Sequence, residues 1–261
     1  MSQLVSVSIS DHVAEVRLNR PDKMNALNPD MFEAISQAGA SVAANKDIRA
    51  VVLSGEGKAF CAGLDLENFT SEEFTSNPFG EGRGGSYPNF FQSPAWAWKS
   101  VPVPVICALH GVAFGGGLQI ALGADIRIAE PTTRMSVMEI KWGLVPDMTA
   151  SQTLRDIVPL DVAKELTFTG RIIRAKEAHE LGLVTRVEES AKEVALTMAN
   201  DIAQKNPDAI SAAKQLLDTA WHGDQLAGLE LEERLQAKII NSPNQKEAVL
   251  AEMQKRKPRF K

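Results

Sequence analysis

Three consecutive glycines, Gly115-Gly116-Gly117, stand between an apolar run, Val103 to Leu109, and a second apolar stretch, Leu118 to Leu122. The first run reads as a buried strand and the second as a short helix. Glycine takes backbone angles that other residues resist and lets a backbone come close to its neighbours. The first N–H groups of a helix have no partner within it and carry the positive end of its dipole. Strand, triplet and helix start therefore fit either a site for an anionic oxygen or close packing of a helix on a sheet.

The rest of the chain repeats this alternation. Val5 to Ser10 and Val13 to Leu18 alternate apolar and polar residues around Ser10-Asp11-His12, which predicts a hairpin. Asn28 suits a helix N-cap and Pro29 the first helical position, with Phe32, Ile35, Ala38 and Val42 on one face. Ala50 to Leu53 is a buried strand closed by Ser54-Gly55-Glu56-Gly57. After the triplet, Ile126 to Ala129 and Arg134 to Val137 read as strands. From Asp161 the pattern is helical: Asp161–Phe168, Ala175–Leu181, Ala191–Gln204, Ala209–Ala220, Leu226–Ile239 and Gln245–Lys255, with one strand at Val184–Val187. The chain thus divides into a β/α core, 1–190, and a helical C-terminal region, 191–261, whose leucines (Leu226, Leu229, Leu231, Leu235) face the core or another subunit. Phe69 to Ser100 has no sustained period but is rich in aromatics, which fits a pocket wall or packing over the core. Gly80, Gly82 and Gly85 match G-x-G-x-x-G without a preceding strand, so a dinucleotide fingerprint is rejected.

Composition removes several classes of function. A net charge of −5 gives no electrostatic case for nucleic acid or a membrane surface. No apolar run approaches the ~18 residues of a membrane span. The N-terminal stretch Met1 to Asp11 has neither the basic start nor the long apolar segment of a secretory leader. Cys61 and Cys107 lie in apolar surroundings and read as buried thiols of a reducing compartment, so the expected location is cytoplasmic.

A second glycine turn, Ala62-Gly63-Leu64-Asp65-Leu66, follows the strand at Ala50 to Leu53. It is either an ordinary strand-to-loop turn or a source of a second backbone donor. Two backbone donors on one oxygen form an oxyanion hole. Glu139 and Asp147 lie among apolar residues, where burial raises a carboxyl pKa and suits acid–base work near neutrality. Asp147-Met148-Thr149 also resembles a helix start, with Asp147 as its cap. There is no G-x-S-x-G elbow and no C-x-x-C, and His179-Glu180 lacks the second histidine of a zinc motif.

Taken in order, Asn19 to Leu27, Ala59 to Leu66, Gly111 to Asp125 and the helical tail resemble the crotonase superfamily, the enoyl-CoA hydratase and isomerase family, over nearly the whole chain. The resemblance implies a crotonase-like α/β spiral of ββα units with a helical C-terminal trimerisation region, assembling as a homotrimer or dimer of trimers. It implies an acyl-CoA thioester substrate, with coenzyme A entering as part of that substrate and no cofactor bound permanently. The oxyanion hole would fall on the N–H groups of Leu64 and Gly116. Lys23, Met24, Ala62, Asp65 and Leu66 would line the coenzyme A, and Lys255 would lie near its phosphates, across a subunit boundary. Gln119, Glu139 and Asp147 are the catalytic candidates. Hydratases of the family carry glutamates at both the 119 and 139 positions; here the first is Gln119, which cannot ionise. Dienoyl-CoA isomerases have an aspartate at the offset of Asp147 and usually an acid at the Gln119 position. The reading that follows is a double-bond isomerase with Glu139 as base. The alternatives are a 2-enoyl-CoA hydratase using Glu139 alone, and a non-catalytic CoA-ester or RNA-binding relative, the latter disfavoured by the acidic charge.

Overall fold

Period-two alternation in the strands builds a sheet with two apolar faces. In this computed structural model, which describes residues 4–65, Glu67 and residues 87–261, the strands are β1 (Val5–Ser10), β2 (Val13–Leu18), β3 (Ala50–Gly55), β4 (Val105–Leu109), β6 (Ile126–Ala129) and β9 (Arg186–Val187). They form one sheet in the order β1-β2-β3-β4-β6-β9, antiparallel only between β1 and β2. A smaller sheet joins β5 (Val112–Phe114), β7 (Arg134–Ser136) and β8 (Ile173–Arg174).

Ala14, Val16, Leu18, Val51, Leu53, Val105, Cys107 and Leu109 enter the main core on one face. Helix α1 (Pro29–Ala44) covers that face with Phe32, Ile35 and Val42; the Asn28 side chain caps it by accepting the Met31 N–H at 3.0 Å. The intervening residues Val13, Ala50, Val52, Ile106, Ala108 and Ile128 face the other way. There α7 (Ala191–Ala203) lies on the strands through Ala191, Ala195, Ala199 and Ala203. Alanine at every fourth position gives this helix a smooth stripe, and the first helix of the C-terminal region therefore seals the core.

Three features depart from the sequence expectation. The run to Leu109 does not lead straight into the triplet, because β5 intervenes and carries the chain into the smaller sheet. Helix α2 (Ser93–Ser100) lies within the stretch expected to have no period; it buries Ala95 and Trp98, while 68–86 of that stretch lie outside the described residues. Helix α4 (Ala150–Ile157) starts at Thr149, whose φ is +73° and whose side chain makes no cap bond, so Asp147 is not its cap. Helices α3 (Gly116–Leu122), α5 (Leu160–Thr169) and α6 (Ala175–Glu180) complete the core region. Helices α8 (Pro207–Ala220), α9 (Gln225–Ile239) and α10 (Pro243–Met253) form the tail. In α9, Leu231 and Leu235 are buried, whereas Leu226 and Leu229 stay exposed. No helix among the described residues is long and apolar enough to cross a membrane. Cys61 and Cys107 are buried free thiols, and burial pushes the Cys61 pKa up to about 12.

Candidate active site

Asn25 organises the first half of the site. It is fully buried at φ +55°, and its side chain donates to the carbonyls of Glu56, Ala59 and Phe60 at 2.9, 2.9 and 3.1 Å. Its own carbonyl amide oxygen accepts the Arg20 N–H at 2.8 Å. The two loops are then paired by backbone bonds: Ala62 donates to Met24, Leu27 to Gly63, and Asp65 to Leu27. Arg20 closes the turn through an ion pair, 2.6 Å from its Nη1 to Asp65 Oδ2. Burial pushes the Asp65 carboxyl up, but the Arg20 hydrogen bond and charge more than reverse this and hold it below its ordinary value. The Leu64 N–H has no backbone acceptor among the described residues.

The glycine triplet supplies the second half. Phe60 and Cys61 pair with the chain at His110 and Val112, which lays the 61–64 turn against β5 and the start of α3. A methyl group placed on Gly63, at φ +90°, would sit 2.6 Å from the Phe114 carbonyl oxygen and 3.8 Å from the Gly116 nitrogen. One on Gly117 would lie 2.6 to 2.8 Å from the carbonyl oxygen, Cβ and Sγ of Cys61. Only glycine permits these approaches, and they bring the turn carrying Leu64 against the first N–H of α3. That N–H, on Gly116, has no acceptor among the described residues either. The close-packing description of the triplet therefore holds, and it leaves N–H groups at the start of α3 without a backbone acceptor among the described residues.

The carboxylates come from the segment after β7. Glu139 opens a 3₁₀ turn, Glu139–Trp142, that Gly143 ends at φ +70°. Its side chain is 8% exposed and lies against the triplet, with Oε1 3.3 Å from where a methyl on Gly115 would sit. Gln119 donates from Nε2 to Glu139 Oε1 at 2.6 Å and accepts the Met148 N–H on its own Oε1 at 2.8 Å. Glu139 Oε2 is buried and has no hydrogen-bond partner among the described residues. Burial, assisted by the negative charge of Asp147, raises the Glu139 pKa. Burial also raises the pKa of Asp147, although that residue remains exposed: it is packed on one side and open to solvent on the other.

Leu64, Gly116, Gln119, Glu139 and Asp147 are thus gathered in one region. Ala62 and Asp65 lie on the adjoining turn, and Lys23, 2.6 Å from Glu67, and the exposed Met24 border it. Leu66 lies outside the described residues. Lys255 is not among this group. The end of its tail is anchored elsewhere, where Arg49 donates to the Phe260 carbonyl at 3.2 Å ahead of β3. Arg20 and Asn25 were missed as site-building residues; their signal was the polar cluster Asn19 to Asn25 directly after a strand.

The parallel sheet thus brings the Leu64 and Gly116 turns and the buried Glu139 carboxyl into one region of the chain. The family model for enoyl-CoA hydratase/isomerase matches residues 8–261, and the chain belongs to that family, the crotonase superfamily, whose members act on acyl-CoA thioesters. It is 33% identical to the peroxisomal Delta(3,5)-Delta(2,4)-dienoyl-CoA isomerase of Arabidopsis thaliana, over 99% of this chain and 96% of that one. It is 36% identical to the (E)-benzylidenesuccinyl-CoA hydratase of Thauera aromatica, over 81% and 80%. The crystal structure of an enoyl-CoA hydratase from Bacillus anthracis superposes with a TM-score of 0.89 at 30% identity, covering 99% of each chain.

Proposed function

We propose that this enzyme shifts a carbon–carbon double bond of an enoyl-CoA or dienoyl-CoA. The thioester oxygen would sit between the amides of Leu64 and Gly116, which stabilise the negative charge that develops there. Glu139 would take a proton from the carbon next to the carbonyl through Oε2. The electrons move into a dienolate; in a 3-enoyl to 2-enoyl shift Glu139 returns the same proton at the γ-carbon, and in a dienoyl shift Glu139 keeps it while Asp147, starting as the acid, gives its own proton to the far carbon, both groups then resetting by exchange with solvent. The product has the mass of the substrate, and no water is consumed.

The observation that carries this reading is the bond from Gln119 to Glu139. An amide occupies the place of an acid, so it cannot share with Glu139 the task of activating a water. The similarity to a dienoyl-CoA isomerase supports the same choice. The second reading is hydration of a 2-enoyl-CoA by Glu139 alone, favoured by relatives that are named hydratases. A homotrimer or dimer of trimers working in the cytoplasm belongs to the proposal. Incubation with a 3-enoyl-CoA, a 3,5-dienoyl-CoA and a 2-enoyl-CoA, followed by chromatography and mass analysis, tests it. Isomerisation gives a new peak of unchanged mass. A water added to the 2-enoyl-CoA, with the other two substrates untouched, overturns the isomerase reading in favour of the hydratase.

A further inference from the structure

Gln119 is 1% exposed, and both ends of its amide are used. A backbone N–H can only donate, so the amide end facing Met148 must be the oxygen and the end facing Glu139 must be the NH2. The orientation of the amide follows without ambiguity. It has a consequence for Glu139. An NH2 group pointed at Oε1 from 2.6 Å stabilises negative charge on that oxygen and disfavours a proton there. The acid form therefore favours its proton on Oε2, the oxygen with no partner among the described residues.

We propose that Gln119 is a positioning residue that dedicates Glu139 to single-oxygen proton transfer and ties it to the loop bearing Asp147. The amide turns the carboxylate so that one oxygen is held by protein and the other receives and returns the proton. The bond to Met148 fastens the loop of 143–149 to the same side chain, so the two carboxyl groups keep a set relation. An acid at position 119 would place two carboxyls 2.6 Å apart, and such a pair holds on to one proton in common. Gln119 supplies a donor without a charge, which favours the ionised form of Glu139 against its burial.

The groups facing Glu139 are few. Helix α3 carries no titratable residue. From the 143–149 loop, Asp147 acts on it. Lys141, on the same turn, lies over the Trp142 ring, and Glu165 of α5 pairs with Arg171. Removing the Gln119 donor takes away one of the hydrogen bonds that favour the carboxylate, leaving burial and Asp147, which raise the Glu139 pKa, opposed only by the backbone N–H groups of Glu139 and Met138.

The catalytic part of this inference rests on the isomerase reading; the protonation part does not. The test uses full-length wild type, Gln119→Met and Gln119→Glu, with carbon-13 spectra of labelled glutamate and the Glu139→Gln spectrum to assign the signal. Gln119→Met keeps length and removes both hydrogen bonds; Gln119→Glu keeps an acceptor for Met148. In Gln119→Met the Glu139 pKa rises, the acid limb of kcat/KM rises with it, and kcat at neutral pH falls about tenfold to a hundredfold while KM moves little. In Gln119→Glu the two carboxyls titrate in two steps as a pair. A Glu139 titration in folded Gln119→Met that coincides with wild type overturns the inference. If the Glu139 titration moves but no enoyl-CoA is isomerised by wild type, the proposed function fails and the positioning of Glu139 stands.

Discussion

Arg20 and Asp65 meet across 45 residues of chain, with Nη1 of the arginine 2.6 Å from Oδ2 of the aspartate. Arg20 also donates to the Ala26 carbonyl at 2.9 Å, so one guanidinium joins the loop after β2 to the turn that carries Leu64. The sequence resemblance placed Asp65 among ligand-lining residues; its carboxylate is taken up by Arg20.

Asp65→Asn should therefore destabilise the fold. Breaking a fully buried pair costs about 3–5 kcal/mol, and the partly wetted Arg20 reduces this to about 2 kcal/mol. The Asp65 pKa is depressed in the folded state, so its contribution is present above the ordinary aspartate pKa of about 3.9 and fades as pH falls through the folded value. Urea unfolding at pH 7 and pH 3 checks this: the gap between variant and wild type should be wide at the first and narrow at the second.

Glu139→Gln should abolish turnover and stabilise the protein. Loss of a general base costs about 10²–10⁴-fold in rate. The Glu139 pKa is raised on folding, chiefly by burial, so wild type loses stability relative to the variant as pH rises through that value. Melting curves should show the variant more stable at pH 8, with the difference closing below about pH 4. A variant less stable than wild type at pH 8 would contradict the reading that burial outweighs the hydrogen bonds to this carboxylate.

Gly116 tests the oxyanion hole with an internal control. It is the first residue of α3, where proline is tolerated. Gly116→Pro and Gly116→Ala both add a Cβ 2.7 Å from the Met148 sulfur and 2.9 Å from a Leu27 methyl, but only proline removes the N–H. On whichever enoyl-CoA the enzyme turns over, the proline variant should have a kcat about 10²–10³ lower than the alanine variant, both being folded by circular dichroism. Equal rates for the two would remove Gly116 from the hole.

The strands and the tail helices were legible because each carries its own period. Val13, Ala50, Val52, Ile106 and Ala108 alternate with core residues of the other face, and the Ala191-to-Ala203 stripe repeats every four. β5 was not legible: three residues between glycines show no period. Nor was α2, whose Pro94 and Ser93 look like loop residues until Trp98 is seen to be buried. At the site, residue types were legible and their partners were not. Gln119 declares only that it cannot ionise; that it bridges Glu139 and Met148, 20 and 29 residues away, is a property of the fold. The same holds for Asn25, whose contacts lie 31 to 35 residues along the chain.

The tail bears on assembly. Trp221, Leu226 and Leu229 are 67%, 65% and 61% exposed and are available to a subunit contact. The family resemblance assigns such surfaces to a trimer. Light scattering at micromolar concentration should give a mass of three or six chains, and Leu229→Glu should lower it. A monomeric wild type would overturn the expectation.

Asp147 separates the isomerase subclasses. A 3-enoyl to 2-enoyl shift moves a proton between carbons that one side chain can reach, and Glu139 suffices. A dienoyl shift moves it further along the chain, and a single carboxyl reaches only about 3 Å. Asp147 is suited to the distant end: it acts electrostatically on Glu139, its own pKa is raised by burial, and its loop is fastened through Met148 to Gln119. Asp147 is not the N-cap of the following helix, because α4 is entered at Thr149, whose side chain makes no cap bond. Asp147→Asn keeps size and polarity and cannot take up a proton. For a catalytic Asp147, 3,5-dienoyl-CoA turnover should fall about 10²-fold or more while the 3-enoyl-CoA rate and the melting temperature stay near wild type. The variant should also lower the Glu139 pKa, since a negative neighbour is removed, and so move the acid limb of the 3-enoyl-CoA profile down. Dienoyl turnover that survives the substitution leaves Glu139 as the sole proton carrier.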